Sequence, residues 1–308
     1  MTDKWFVIVN PVSGSGRGKK DWKKIFSLLK DARIDFKYVF TKYRCHATEL
    51  ARESIEKGWR HIISVGGDGT VNEVVNAVLT QNHVPTTEVT LAMISTGEGK
   101  DWGRTIGIPP DYKDAITTIK NGTTFVQDAG LVKYYDADIQ KKRYFVNVVG
   151  TGYDAFVTER ANYMKEHGCD GVVPYLSSLF MCLLRYKYTN VKLKIDELES
   201  EDEVFSLNVG ICKYNGGGMM QLPEAIPDDG LLDVTVIKKL GKLEVIKNVK
   251  NLYDGSFIHH PLVQTFRGKT ISIESEPKIY LEVDGESLGR SPFQFEIIPK
   301  SVKIVVAK

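Results

Sequence analysis

The stretch Ile62–Leu79, IISVGGDGTVNEVVNAVL, constrains the fold of this 308-residue chain more than any other. It follows His61 as an apolar run short enough for a buried strand and breaks at Gly66-Gly67-Asp68-Gly69-Thr70. It resumes with Val71, Val74, Val75, Val78 and Leu79, the spacing of an amphipathic helix. Strand, glycine loop and helix in that order aim backbone N–H groups and the positive end of a helix dipole at one point, which is an anion site. Asp68 is the odd member, because a carboxylate repels a phosphate unless a cation lies between them. Mg²⁺ on a nucleotide answers that need, while plain Asp-Gly turn chemistry is the simpler alternative. The loop is neither a dinucleotide fingerprint, which needs glycine where Asn72 stands, nor a P-loop, which needs Gly-Lys-Ser/Thr.

Two more units of this kind occur. Trp5–Val9 leads into Asn10-Pro11-Val12-Ser13-Gly14-Ser15-Gly16-Arg17-Gly18 and a helix with Trp22, Ile25, Phe26 and Leu29 on one face. Thr90–Ile94 leads into Ser95–Arg104, with Gly97, Asp101 and Arg104 in the loop. Phe36–Thr41 alternates like a strand, and helices are predicted over Ala47–Lys57 and Asp111–Lys120. The order implies an open, mostly parallel α/β sheet with its ligand at the strand C-termini. Arg17, Asp68 and Asp101 then face one crevice, and a nucleotide with Mg²⁺ fits it best.

From about Thr123 the pattern becomes β-rich, with strands predicted at Thr124–Tyr134, Tyr144–Val149, Val191–Ile195, Val204–Cys212, Leu232–Ile237, Thr270–Ser275, Ile279–Val283, Phe293–Ile298 and Val302–Ala307. Glu197–Glu203 reads as a turn cluster, and helical insertions are predicted near Ala155–Tyr186 and Leu243–Leu252. This is the signature of a β-sandwich. Residues 1–124 therefore form the α/β nucleotide-binding domain and 125–298 the sandwich, with 299–308 returning to the first domain. Asp228-Asp229-Gly230-Leu231-Leu232-Asp233 could hold a hard cation or be a solvated turn. Asp284-Gly285-Glu286 ends a strand with two carboxylates that can share one site, or is simply a hairpin.

A net charge of +2 gives no case for nucleic acid as a partner. Cys45, Cys169, Cys182 and Cys212 form no CxxC pair, which suits a reducing compartment. No segment has the roughly 18 apolar residues of a transmembrane span; the longest candidate, Val172–Leu184, is interrupted by Pro174, Ser177 and Ser178.

Seven motifs in order resemble the catalytic-domain family of diacylglycerol kinases and related bacterial lipid kinases, which also includes sphingosine and ceramide kinases. They are Asn10-Pro11-x-Ser13-Gly14, Gly66-Gly67-Asp68-Gly69-Thr70-x-Asn72-Glu73, Asp101-Trp102-Gly103-Arg104 with Ile108-Pro109, Asn147-x-x-Gly150-x-Gly152-Tyr153-Asp154-Ala155, Asn215-Gly-Gly-Gly-Met219, Asp228–Asp233 and Val283–Glu286. The resemblance implies an ATP- and Mg²⁺-dependent kinase of a lipid hydroxyl, diacylglycerol-like or sphingoid. ATP would lie across Asn10–Gly14 and Gly66–Thr70, with Thr41 at a further nucleotide-contact position and Asn72 in the same motif. Asp68 and Asp101 would support the Mg²⁺ network. Glu286 would be the general base, with Asp284 beside it. Asp229, with the carbonyls of Ile226 and Leu231, would match a structural Mg²⁺ site.

The third loop departs from the family's Gly-Thr-Gly-Asn-Asp: Glu98 stands for the hydroxyl and Lys100 for the amide. Two alternatives follow. The GGDGT loop is shared with NAD kinases, so one is a kinase of a soluble substrate. The other is a nucleotide- or lipid-binding protein impaired in turnover by Glu98 and Lys100. The expected setting is cytoplasmic, peripherally associated with the membrane that holds the lipid; a homodimer is left open.

Overall fold

The computed structural model describes residues 4–97, 100–166 and 181–308. Glu98, and the part of Val172–Leu184 before residue 181, lie outside the described residues.

The first half alternates strands and helices: β1 (Lys4–Val9), α1 (Ser13–Lys20), α2 (Trp22–Asp31), β2 (Asp35–Phe40), α3 (His46–Glu56), β3 (His61–Gly66), α4 (Asp68–Thr80), β4 (Thr90–Ser95), α5 (Asp101–Thr105) and α6 (Tyr112–Asn121). The strands pair in parallel in the order β2-β1-β3-β4. Strand alternation sends Val7, Val9, Ile63 and Ile94 to one face, against Ile25 and Leu29 of α2 and Ile116 of α6. Ile8, Ile62 and Met93 go to the other, against Ala51 and Ile55 of α3 and Val71, Val74 and Val75 of α4. Both faces are covered, as a parallel sheet requires.

The second half contains β5 (Thr123–Asp136), β6 (Ile139–Phe145), β7 (Val148–Gly152), α7 (Tyr153–Glu166), β8 (Thr189–Ile195), β9 (Leu198–Gly210), β10 (Leu232–Lys238), α8 (Lys242–Asn248), α9 (Asn251–Asp254), β11 (Val263–Gly268), β12 (Thr270–Glu276), β13 (Tyr280–Val283) and β14 (Glu286–Val306). Strands β9, β7, β13, β14, β12 and β8 pair successively and return to β9, closing a ring around a core that includes Phe145, Leu207, Ile273, Leu281 and Phe293. The sandwich is thus joined at its edges by long strands that pass from one sheet to the other.

Three local expectations change. Tyr144–Val149 is two strands, because the N–H groups of Val146 and Asn147 leave the ladder to bind Asp284. Only Asp196 and Glu197 turn the chain before β9; its acidic residues from Glu199 onward lie in the strand that pairs with β8. Strand β11, unforeseen, pairs with β10.

Strands β5 and β14 run through both halves. Thr123–Gln127 pairs with Val302–Val306, and beyond a register shift Ala129–Lys133 pairs with Gln294–Ile298. Lys303 and Ile304 also pair in parallel with Thr90 and Leu91 of β4, extending the first sheet. The crossing point is at Asp128, whose side chain is fully buried. Its Oδ1 accepts the Lys300 N–H and its Oδ2 the Gly230 N–H, each at 2.7 Å. One carboxylate thereby ties the bent strand and the Asp228–Asp233 turn to the crossover.

Asp128→Asn leaves one of those two N–H groups facing an amide NH₂. Urea unfolding should show a loss of about 1–3 kcal/mol at unchanged m.

Candidate active site

The loops after β1, β3 and β4 are bound to one another. Asn10 donates its N–H to Val65 O at 2.9 Å and its Nδ2 to Thr70 Oγ1 at 2.9 Å. Ser13 Oγ donates to Asn10 O at 2.9 Å and lies 2.6 Å from Thr96 Oγ1. Gly14 has φ +58°, and a Cβ there would lie 2.0 Å from Thr96 O and 3.3 Å from Gly97 Cα. Glycine is required at that point for both conformation and space. Pro11 O accepts the Lys19 N–H, and Thr41, at the end of β2, donates its N–H to Val9 O. Gly67 is the extended N-cap of α4, with Gly66 packed against Thr70. Arg17 does not join this cluster: it is exposed, and its charge is felt at Tyr112 on α6.

Two acids meet below these loops. Asp68 Oδ2 accepts the Asp101 N–H at 3.1 Å, and Asp101 Oδ2 accepts the Gly217 N–H at 2.7 Å. Asp68 Oδ1 and Asp101 Oδ1 are sealed from solvent without a hydrogen-bond partner among the described residues. Burial, then the charge of Asp101, pushes the Asp68 carboxyl up to about 7. Burial also raises Asp101, against the opposing pull of Gly217 and Arg104. Arg104 lies over the Tyr214 ring and close against Gly218, whose φ of +101° and missing Cβ admit the guanidinium. Two under-satisfied carboxylates with orphaned oxygens are a fitting seat for a divalent cation that keeps waters and phosphate oxygens as its other ligands.

The second half supplies the opposite wall. Asp284 and Gly285 have φ of +46° and +89°, the pair of positive values that a two-residue type I′ hairpin needs between β13 and β14. Asp284 turns inward and is buried. Its Oδ2 accepts from Asn72 Nδ2 at 2.7 Å and from the Val146 N–H, and its Oδ1 accepts from the Asn147 N–H. Burial pushes it up to about 6 despite these donors. Asp284 and Glu286 therefore act separately. Asp284 positions the hairpin, and Glu286 faces the crevice. Glu286 Oε2 takes Arg143 at 3.1 Å and has Arg44 at 3.8 Å. Its Oε1 lies 3.8 Å from where a Cβ of Gly69 would be. A carboxylate of the second half thus meets the anion loop of the first.

A family model for the diacylglycerol kinase catalytic domain matches residues 4–132, and one for the YegS C-terminal NAD kinase beta sandwich-like domain matches residues 147–306. The chain belongs to the diacylglycerol kinase family of bacterial lipid kinases. It is 28% identical over 303 residues to the diacylglycerol kinase of Staphylococcus epidermidis, covering 98% of this chain and 92% of that one. The diacylglycerol kinase of Mycobacterium tuberculosis is 27% identical over 301 residues, with 97% and 93% covered. A crystal structure of a diacylglycerol kinase from Bacillus anthracis has the same fold, with TM-score 0.71 at 24% identity and coverage of 99% and 97%.

The second acidic site of this lipid-kinase family member is arranged differently from the first. Asp229 Oδ1 accepts the Leu231 N–H at 3.1 Å, and its Oδ2 is paired with Arg267. Ile226 is exposed beside it. A Mg²⁺ at Asp229 would therefore compete with the Arg267 guanidinium, which also holds Asp233 at 3.1 Å.

Arg143, Arg44 and Glu282 were not foreseen. Arg143 follows Lys141 and Lys142 on an edge-like strand, so it reads as one more solvated charge. Glu282 alternates as a buried position on β13 and receives Asn215 Nδ2 at 3.0 Å and the Gly285 N–H. Burial pushes it up to about 8.

A carboxyl raised on folding keeps a proton that the unfolded chain releases, so stability falls as pH climbs from the ordinary glutamate range to about 8. Glu282→Gln removes this dependence. Thermal melts should match the parent near pH 5, with the variant more stable near pH 9.

Proposed function

We propose that this protein transfers the γ-phosphoryl group of ATP to the hydroxyl of a membrane lipid, diacylglycerol-like or sphingoid, with Mg²⁺. The observation that carries this is Glu286 Oε1 set against Gly69, a base on one domain facing the anion loop of the other. The triphosphate lies along the loops of Asn10–Gly14 and Gly66–Thr70, where N–H groups and the α4 N-terminus attract it. Asp68 and Asp101 would hold Mg²⁺, which when bound neutralises charge on the transferring phosphoryl group. Arg143 fixes the Glu286 carboxylate by one oxygen, leaving the other for the lipid hydroxyl. Glu286 takes the hydroxyl proton as the oxygen–phosphorus bond forms and the bond to ADP breaks. Arg44 and Arg143 lie where added negative charge is stabilised.

The relatives named diacylglycerol kinase, matched over nearly the whole chain, favour a lipid over a soluble acceptor, and Glu286 and Arg143 both come from the β-rich half. Among the described residues no helix is long and apolar enough to cross a membrane. In this reading the substrate is taken from the surface of the bilayer.

Purified protein should consume ATP only with a lipid acceptor and Mg²⁺ present, in a panel of diacylglycerols, sphingoid bases, ceramides and polyprenols read by product mass. Glu286→Gln should lower kcat about 10²–10⁴-fold with little change in ATP affinity. No product from any lipid, together with ATP consumption unaffected by Glu286→Gln, would sink the proposal. Asp68→Asn should make ATP binding insensitive to Mg²⁺ by calorimetry, whereas the parent should bind ATP more tightly with Mg²⁺ than without it.

A further inference from the structure

The backbone stays helical from Lys242 through the junction Val249-Lys250 to Asp254, since both junction residues keep right-handed helical angles. One face of this segment is packed: Val245 and Leu252 join the cluster of Leu183, Phe205, Ile237 and Phe257. The adjoining face is exposed. Leu243 is 75% exposed, Tyr253 55%, Ile246 46% and Val249 45%. At 100° per residue these four form one stripe. A buried aliphatic residue would explain itself by packing, but a run of exposed ones rimmed by charge marks an interaction surface.

The stripe is also basic. Lys242 and Lys250 fall within it and Lys247 at its edge; the charge of Lys250 is felt at Asp254, and neither Lys247 nor Lys250 forms a close ion pair among the described residues. Of the acids on the segment, Glu244 is hydrogen-bonded to His260 at 3.1 Å, and Asp254 caps Ser256. Lys242 donates to Leu184 O, joining the stripe to a second exposed aliphatic residue with Arg185 and Lys187 beside it. In a protein of net charge +2 this is a concentration of positive charge around apolar side chains.

The segment is also connected to the acid site. Leu252 O accepts the Met220 N–H at 2.6 Å. Met219 closes the turn with Asn215, and Gly217 of that turn donates to Asp101.

We propose that the helical face of Leu243, Ile246, Val249 and Tyr253, with Lys247 and Lys250, docks the protein on an anionic lipid bilayer. The choice of a bilayer rests on the lipid-kinase reading; the charge and the exposed stripe come from the fold. The apolar side chains enter the headgroup boundary while the lysines meet lipid phosphates. Docking there brings the Asn215–Met219 turn, and with it the Asp101 side of the crevice, to the bilayer that supplies the acceptor.

Vesicle sedimentation tests this without turnover, so it can fail or succeed independently of the kinase assay. The probes are phosphatidylcholine vesicles with and without about one-third phosphatidylglycerol. The full-length protein should bind the anionic vesicles, more weakly in high salt. Leu243→Ser with Ile246→Ser should weaken binding about tenfold, and Lys247→Glu with Lys250→Glu should remove the preference for anionic lipid. Unchanged melting temperatures would show both variants folded, since all four side chains are exposed. Failure of the parent to bind, or unaltered binding in either folded variant, overturns the proposal. So does loss of a dimer in the serine variant with vesicle binding intact, which would make the face a contact between copies.

Discussion

The hydrogen bond from Asn72 to Asp284 is the contact on which the site depends. Asn72 is fully buried on the first turns of α4, and Asp284 comes from a hairpin of the other half. The same carboxylate gathers the N–H groups of Val146 and Asn147, which interrupts what would otherwise be one strand. Asn76 continues the junction by exchanging hydrogen bonds with the Tyr144 backbone at 2.9 and 3.0 Å. With Asp284 held this way, Glu286 two residues on can only emerge against Gly69. A buried charge this well supplied with donors is costly to break, because each donor would be left unpaired.

The same region concentrates negative charge out of water. Asp68, Asp101, Glu282 and Asp284 are all raised by burial from their ordinary values. Only some of their oxygens find donors. At Asp68 and Asp101 the remaining oxygens are sealed and have no hydrogen-bond partner among the described residues, which distinguishes the pair from Asp229, whose charge is met by Arg267. A divalent cation held there, as proposed above, would relieve this crowding of negative charge.

Crossover and site share a physical logic. Strands β5 and β14 run unbroken in sequence from one half to the other, and the register shift at Asp128 lets them bend. Two long strands hold the halves at a defined distance, which a single flexible linker would not. Arg143, Glu286 and the GGDGT loop are thereby kept in register although more than 200 residues separate the loop from Glu286.

Period and punctuation in the chain determined the α/β half, its three glycine loops and the β-rich remainder, because local spacing encodes which face is buried and where the backbone must turn. The GGDGT stretch gave reason to expect an anion site, and Asp68 a cation beside it. Tertiary structure alone decided what each acid does. Asp284 and Glu286, two residues apart, look equivalent in the chain; a hairpin with two positive φ angles buries one and presents the other. Arg143 looked like a solvated charge until β6 placed it on Glu286, and Asp229 read as a cation ligand or a solvated turn until Arg267 arrived from β11. Arg17, promising beside its glycines, is exposed and makes itself felt at Tyr112. Such partners are set by strand pairing across the fold, where burial and distance fix charge and role, and neither quantity is written in local sequence.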